Sequence, residues 1–305
     1  MVISAQSRIA IALATVYLVW GSTYLAIRVG VEHLPPALFA GSRFLIAGAL
    51  LLVFALWRGM RLPASRQDFF RIGFSGVLML VGANGVVTWS EQWVDSNQAA
   101  LIVATCALWI AGMGTLGSAG ERLNPLAIAG LLIGLGGVAV LVGAGIEARL
   151  APPLVYLGLL AAPIFWAWGS VYSRRKPVAC TPFMSAAWQM LIAGAVLTAI
   201  GIIGGELPRW NWHPDGLWAL AYLVIFGSCI AYAAYYWLVY QVSPAMLGTY
   251  AYVNPAVAVA LGWWLLNEQM NAQQLAGTAV ILFAVIMVTL AQSRPSKPVK
   301  SDHVV

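Results

Sequence analysis

Ten apolar stretches of about 20 residues follow one another along this 305-residue chain, with little between them. They cover approximately residues 9–27, 36–57, 72–90, 98–118, 126–145, 154–173, 183–204, 217–239, 246–266 and 274–291. A run of that length crosses a hydrocarbon core of ~30 Å as a helix, which satisfies its own backbone N–H and C=O groups in lipid. Hydrophobic residues make up 61% of the chain and charged residues 9%, against about 25% charged in a soluble domain. Water cannot solvate such a surface, so the sequence predicts an all-α integral membrane protein. The first run follows Arg8, as a signal peptide's would, but its length and the nine runs behind it favour an uncleaved helix. The tail, 292–305, mixes small and charged residues and is expected to be disordered.

Loop charges set an orientation. With the N-terminus inside, Arg8, Arg58, Arg61, Arg66, Arg71, Arg122, Arg174, Arg175, Lys176, Arg294, Lys297 and Lys300 are cytoplasmic, twelve of the 16 basic residues. Arg28, Arg149 and Arg209 fall on the other side, and Arg43 lies inside the second run. Short cytoplasmic loops collect Lys and Arg, so both termini are expected in the cytoplasm. The formal net charge of +6 then follows from topology and does not point to a nucleic-acid partner.

The runs are also written twice. Trp20-Gly21-Ser22-Thr23-Tyr24 returns as Trp168-Gly169-Ser170-Val171-Tyr172, and Tyr17, Trp20 and Tyr24 are matched by Phe165, Trp168 and Tyr172. Leu45-Ile46-Ala47-Gly48-Ala49 recurs as Leu191-Ile192-Ala193-Gly194-Ala195, Trp89 as Trp237, and Glu121 as Glu268. The offset stays between 146 and 148 throughout. Five runs per copy is an odd number, so the second copy enters the membrane from the opposite side. Ten transmembrane helices in two inverted-topology five-helix repeats, 9–145 and 154–291, are therefore expected.

Several function classes drop out. Cys106, Cys180 and Cys229 show no metal or disulfide spacing, and His33, His213 and His303 are read as isolated, so no metal site or cofactor is predicted. The runs contain no histidine or aspartate from which an embedded enzyme would build a site. There is no GxxxxGK[ST] loop for an ATPase, and no ring of charge for a channel filter.

The chain resembles the drug/metabolite transporter superfamily, EamA type, and within it the YedA-like inner-membrane exporters. The residues that carry the likeness are Trp20-Gly21-Ser22-Thr23-Tyr24 with Arg28-Val29-Gly30-Val31-Glu32, then Arg43-Phe44-Leu45, and Ser243-Pro244-Ala245 leading to Tyr250-Ala251-Tyr252-Val253-Asn254-Pro255. The resemblance implies ten helices around a central cavity. It implies a multi-pass secondary transporter of the cell inner membrane that exports small amphipathic metabolites, amino acids or drugs among them, by alternating access. A passive facilitator, exchanger or pore is the alternative. The partners implied are a small-molecule substrate and membrane lipid, with proton coupling and a monomer or homo-oligomer left open. One departure is visible. The family's mid-helix proline in the fourth helix of each unit is present as Pro255, but the first unit reads Cys106-Ala107-Leu108, so a kink is expected in the second half alone.

Inverted repeats place the substrate near the midplane, between the halves. The cavity candidates are then the polar and aromatic residues deep in the runs: Trp20, Tyr24, Asn84, Thr88, Trp168, Tyr172, Ser228, Tyr232, Tyr235, Tyr250 and Asn254. For Trp20 and Trp168 helix packing, with Gly21 and Gly169 permitting close approach, is an equal alternative. Freed carbonyls at the Pro255 kink are a further candidate. Arg43 lies roughly 10 Å inside its run at ~1.5 Å per residue. Its partner is either a substrate carboxylate or Glu91, and a structural ion pair is the favoured reading. Glu91 is also the nearest candidate for proton coupling, although a solvated loop acid is the favoured reading for it, as for Glu32 and Glu268.

Overall fold

The computed structural model describes residues 4–94, 96–117, 120, 122–143, 151–266 and 272–292. Glu121, Glu268 and the tail from 293 lie outside them. Prolines open many of the helices, at first-turn positions where a missing N–H costs nothing. α1 (Ala5–His33) starts instead from Ser4, whose Oγ accepts the Ser7 N–H at 3.1 Å. There follow α2 (Pro36–Trp57), α3 (Arg66–Gly76), α4 (Val86–Ser90), α5 (Ser96–Ala104), α6 (Cys106–Gly114), α7 (Pro125–Gly143) and α8 (Pro153–Arg175). The second half continues with α9 (Pro182–Ile203), α10 (Pro214–Tyr222), α11 (Ala233–Leu238), α12 (Pro244–Gly248), α13 (Tyr250–Leu266) and α14 (Ala272–Gln292). The described fold is all-α.

Helix occupies all ten expected intervals, but not as ten equal spans. Among the described residues, six helices are long and apolar enough to cross a membrane: Ala5–His33, Pro36–Trp57, Arg66–Ser90, Pro153–Arg175, Pro182–Ile203 and Pro214–Leu238. Ala99–Gly114, Pro125–Leu141 and Leu275–Ala291 are shorter apolar helices. Large apolar side chains remain on the outside, with Trp57 78% and Ile203 87% exposed. Lipid, not water, suits such a surface.

Two spans widen in the middle. Between α3 and α4 the backbone runs as a π-helix over Val77–Gly85, and between α10 and α11 it does so over Leu223–Tyr232. These wide turns occupy corresponding places in the two halves and have no signature in residue type.

Two other spans break, and the expected asymmetry is absent. α5 and α6 are separated at Thr105, while α12 and α13 are separated at Thr249. Each threonine Oγ1 donates to a carbonyl one turn back, Ile102 and Met246 respectively, both at 2.7 Å. Such back-bonding bends helices. α13 runs as helix through Pro255, so the interruption in the second half precedes the proline, and the first half is interrupted without one.

Small residues bring the halves together. Apolar helices gain no hydrophobic drive from one another in lipid, so close backbone approach must supply the attraction. A Cβ on Gly48 would stand 2.9 Å from the Leu191 nitrogen, and one on Gly194 would stand 2.7 Å from the Leu45 nitrogen. Gly41 meets Thr198 and Gly201 meets Leu38 along the same seam. The pairing descends along α2 as it climbs α9, so these helices are antiparallel. α7 and α14 repeat the arrangement, with Gly130 against Val288 and Gly277 against Leu141.

Polar groups secure the helix ends. Glu206, after α9, accepts from the Leu38 N–H at 2.9 Å and the Ala37 N–H at 3.4 Å, placing a carboxylate on the N-terminus of α2. Arg175 donates through Nη2 to the carbonyls of Met113, Gly114 and Leu116 at the end of α6. Arg174 does the same for Val239 and Val242 after α11. The loop arginines read from sequence as topology signals therefore also cap neighbouring helices.

Candidate functional site

A cavity of about 80 Å³ lies where the two halves meet. At ~10–15 Å³ per water, it has room for roughly five to eight waters. α1 contributes Trp20, Thr23, Tyr24 and Ile27, at i, i+3, i+4 and i+7, one face of the helix. α2 adds Arg43 and Phe44, and the first π segment adds Leu80, Ala83 and Asn84. From the second half, α8 supplies Ala162, Pro163 and Trp166, the second π segment Gly227 and Tyr232, and α13 Tyr250 and Asn254. Both widened segments thus open onto the same space.

Trp20 is the hub of the aromatic wall. Its ring lies edge-on to Trp166 with centres 5.4 Å apart, and 5.0 and 5.1 Å from Tyr235 and Tyr250. Its Nε1 donates to the Gly227 carbonyl at 3.1 Å, tying α1 to the second π segment. Most other polar atoms near the cavity are also satisfied by protein. Tyr232 donates to Gln189 Oε1 at 2.7 Å, and Gln189 Nε2 donates to Ser75 Oγ at 2.7 Å. In the amide orientation that satisfies its neighbours, Asn254 donates to the carbonyls of Tyr250 at 3.0 Å and Tyr17 at 3.3 Å.

Two charged residues depart from expectation. Arg43 is 4% exposed and donates through Nε to Ser228 Oγ at 2.9 Å, but it forms no ion pair with Glu91 or with any other described acid. Glu91, just beyond the span ending at Ser90, is fully buried rather than solvated. Neither of its carboxyl oxygens has a hydrogen-bond partner. Burial holds its pKa well above the usual carboxylate value, with the charge of Arg28 opposing. Arg28 spends its side chain elsewhere, with Nη1 on the Glu91 carbonyl at 2.6 Å and Nε 3.3 Å from Glu32.

Of the sequence candidates, Trp20, Tyr24, Asn84, Tyr232, Tyr250, Asn254 and Arg43 come together on the lining. Ser228 stands directly behind Arg43. Thr88 returns its hydroxyl to the Asn84 carbonyl at 2.9 Å. Tyr235 sits behind the aromatic wall, with its hydroxyl taking the Trp166 Nε1–H at 2.9 Å and bonded to Ser170 at 2.7 Å. Trp168 and Tyr172 do not reach the cavity. Trp168 is 49% exposed, and both rings pack on Phe74. The inward face of α8 is set by Ala162, Trp166 and Ser170, four residues apart, so a side chain at 168 points about half a turn away. Gly21 and Gly169 do fill corresponding roles as close-approach points, against Val257 and Met79.

The lining residues missed are mostly apolar, Ile27, Phe44, Leu80, Ala83, Val87, Val103, Ala162, Pro163 and Trp166, with Thr23, Cys106 and Gly227 besides. Trp166 had one readable signal, its place one turn before the buried hydroxyl of Ser170. The histidines need a correction too. His33 and His213 are not isolated; their rings stack with centres 4.0 Å apart, and Asp215 lies 3.6 Å from His213 Nδ1. The end of α1 and the start of α10 bring them together across a sequence separation that spacing could not bridge.

The chain matches the model of the EamA-like transporter family over residues 7–143 and again over 153–290. It is similar to the uncharacterized inner membrane transporter YedA of Escherichia coli (strain K12), 42% identical over 292 residues that cover 94% of this chain and 93% of that protein. It is also similar to the uncharacterized transporter YoaV of Bacillus subtilis (strain 168), 23% identical over 288 residues, 94% of this chain and 98% of that one. One solved crystal structure at 24% identity superposes with a TM-score of 0.77 over 94% of this chain and 99% of the other, a likeness of fold. Two matches that between them span most of the sequence leave a single assignment: the chain belongs to the EamA-like transporter family, and is a secondary transporter of the membrane rather than an enzyme.

Proposed function

We propose that the cavity is the substrate site of an exporter of small amphipathic metabolites, working by alternating access between two inverted five-helix repeats, 9–145 and 154–291. The observation that carries this reading is the cavity's place, lined by both halves at their junction and opened onto by both π segments. Widened turns of this kind recur at functional sites. The antiparallel α2–α9 and α7–α14 pairs, with contacts that correspond under the repeat, support the inverted arrangement. A site at such a junction can open to either side as one half rocks against the other. The name of the Escherichia coli relative favours an inner-membrane location, and the loop charges favour cytoplasmic termini.

Glu91 is the group proposed to couple transport to protons, because a buried carboxyl without a hydrogen-bond partner gains most from carrying a proton. Everted vesicles from overexpressing cells, assayed with a metabolite and dye panel with and without a proton gradient, test both parts. Export of the transported compound should fall with Asn254→Ala. Unchanged rates in that variant would remove the cavity from the pathway, and gradient dependence that survives Glu91→Gln would remove the coupling role.

A further inference from the structure

His33 closes α1 and His213 stands immediately before α10. A bare Cα at Gly216 lets the start of α10 seat closely on the end of α1, since a Cβ there would stand 3.0 Å from the His33 Cβ and 3.1 Å from the Leu34 Cγ. The two imidazole rings then stack, with centres 4.0 Å apart and planes 10° from parallel. Asp215, in the first turn of α10, reaches the same spot with its Oδ2 3.6 Å from His213 Nδ1. One ring nitrogen from each histidine and one carboxylate oxygen lie within 4.8 Å of one another. Because α1 crosses the membrane once, this cluster sits on the face opposite the N-terminus.

His213 Nδ1 accepts the Asp215 N–H at 3.3 Å and so carries a lone pair beside the carboxylate. A proton satisfies one such pair; a metal ion answers all three groups at once. Two imidazoles and a carboxylate are a ligand set for Zn²⁺, with the fourth position left to water. The last carbonyls of α1 give that helix end a partial negative charge that favours a cation, and Asp215 offsets the opposite pole at the start of α10. Tetrahedral Zn²⁺ sets its ligand atoms about 3.3 Å apart, so the cluster has to contract by at most about 1.5 Å. A turn of the rings out of their stack, which the broad χ2 of histidine permits, brings their lone pairs to one point. The side chains of His213 and Asp215 are 42% and 64% exposed and have room for it. We propose that His33, His213 and Asp215 form a divalent transition-metal site, best filled by Zn²⁺, and that the bound ion pins the end of α1 to the start of α10. α1 carries Trp20 and Tyr24 to the cavity, and α10 leads into the π segment that brings Gly227 and Tyr232. The ion therefore joins two cavity-lining elements from outside the cavity, whatever the cavity carries.

Calorimetric titration of ZnCl₂ into the purified, tag-free full-length protein in metal-free detergent buffer reads the site directly. Zn²⁺ should bind, Ni²⁺ should compete with it, and Mg²⁺, which takes oxygen ligands, should not. Even outer-shell partners of a metal ligand are worth 10–100-fold in affinity, so His33→Gln and His213→Gln should each weaken binding by at least about tenfold. His303→Gln is the control and should bind as the wild type does. His33→Gln leaves the His213 cap of α10 untouched. In the wild-type protein, which needs no variant to fold, saturating Zn²⁺ should slow amide exchange several-fold over residues 30–36 and 213–218. No heat of Zn²⁺ binding, or binding that survives both His33→Gln and His213→Gln, overturns the site, as does protection confined to other segments. Binding lost in His213→Gln but kept in His33→Gln overturns the bridge between the helices. Binding with the expected losses but no slowing of exchange overturns the pinning of α1 to α10.

Discussion

One added methyl group on each of α2 and α9 tests the seam that joins the halves. In Gly48→Ala the new Cβ would stand 2.9 Å from the Leu191 nitrogen and 3.0 Å from the Ala187 carbonyl oxygen. In Gly194→Ala it would stand 2.7 Å from the Leu45 nitrogen and 3.0 Å from the Gly41 carbonyl oxygen. Favourable contacts begin near ~3.5 Å, so each substitution is short by about 0.6–0.8 Å. The Cγ atoms of Leu191 and Leu45 crowd the two sites as well, but the nitrogen and carbonyl atoms are backbone, and no rotamer change relieves those. The helices must separate instead, at ~1–3 kcal/mol for overpacking of this kind. Alanine also gains up to ~1 kcal/mol of helix propensity over glycine. Gly136→Ala is the control for that gain, because nothing lies within 4 Å of its built Cβ. Titration of the purified protein with SDS in mixed micelles, followed by circular dichroism, should place each seam variant ~1–3 kcal/mol below the Gly136→Ala protein. The double variant should cost less than the sum, since one separation relieves both sites, with a coupling of at least ~0.5 kcal/mol. Seam variants as stable as the control, or strict additivity, would refute the close reciprocal contact.

Other outcomes follow from single contacts. Glu206→Ala should cost ~0.5–2 kcal/mol in the same titration by uncapping α2, with Glu206→Gln retaining part of the effect; an unchanged midpoint in Glu206→Ala would dismiss the cap. Arg175→Ala should speed amide exchange over residues 112–117 by roughly tenfold or more, at carbonyls that lose a charged donor, and leave α2 unchanged. Glu91 binds its proton more tightly in the folded protein than in the unfolded chain. Its contribution to stability is therefore complete below an unfolded value of ~4.3 and is lost as pH rises from there through the raised folded value. Glu91→Gln should flatten that decline, and parallel pH profiles for the two proteins would count against it. Trp166→Ala should abolish export in everted vesicles while Trp168→Ala leaves it intact, and the reverse order would restore the repeated stripe as the pathway.

The extent of helix was readable from sequence because lipid forces it: a chain that cannot hydrogen-bond to solvent must satisfy its backbone locally, and hydropathy records the lengths. The repeat was readable for the same reason that Gly48 and Gly194 match, since both halves need a small residue at one seam. Which face of a helix turns inward was not. In water, the polar face identifies the outside; in lipid both faces of α8 are apolar, and Trp166 and Trp168 look alike to hydropathy. The interruptions also escaped. Pro255 drew the expectation of a kink, yet the breaks lie at Thr105 and Thr249, whose back-bonded hydroxyls are a weaker signal in sequence. The π segments left none, because buried leucines such as Leu80 and Leu223 within them suit an ordinary helix equally well.

The structure divides the duplicated chain into a frame that keeps the repeat and a lining that breaks it. Glycines at the α2–α9 and α7–α14 seams, the π segments and the threonine breaks all recur in both halves, and these are the parts that would have to move if the halves exchange roles. The polar groups do not recur. Arg43 and Gln189 each reach across to a serine of the opposite half, Ser228 and Ser75. Gln189 is then fully paired, while Arg43 meets no described carboxylate. A second arginine at 189, which lies behind Tyr232 and not on the lining itself, would add another buried charge near the junction, and repulsion between the two in a low-dielectric setting would be unfavourable. Replacing one arginine by a neutral amide removes that repulsion while keeping a hydrogen bond between the halves at both places. What remains is a single charge on one side of the junction, so a molecule bound there would meet different groups on its two faces even though the surrounding helices correspond.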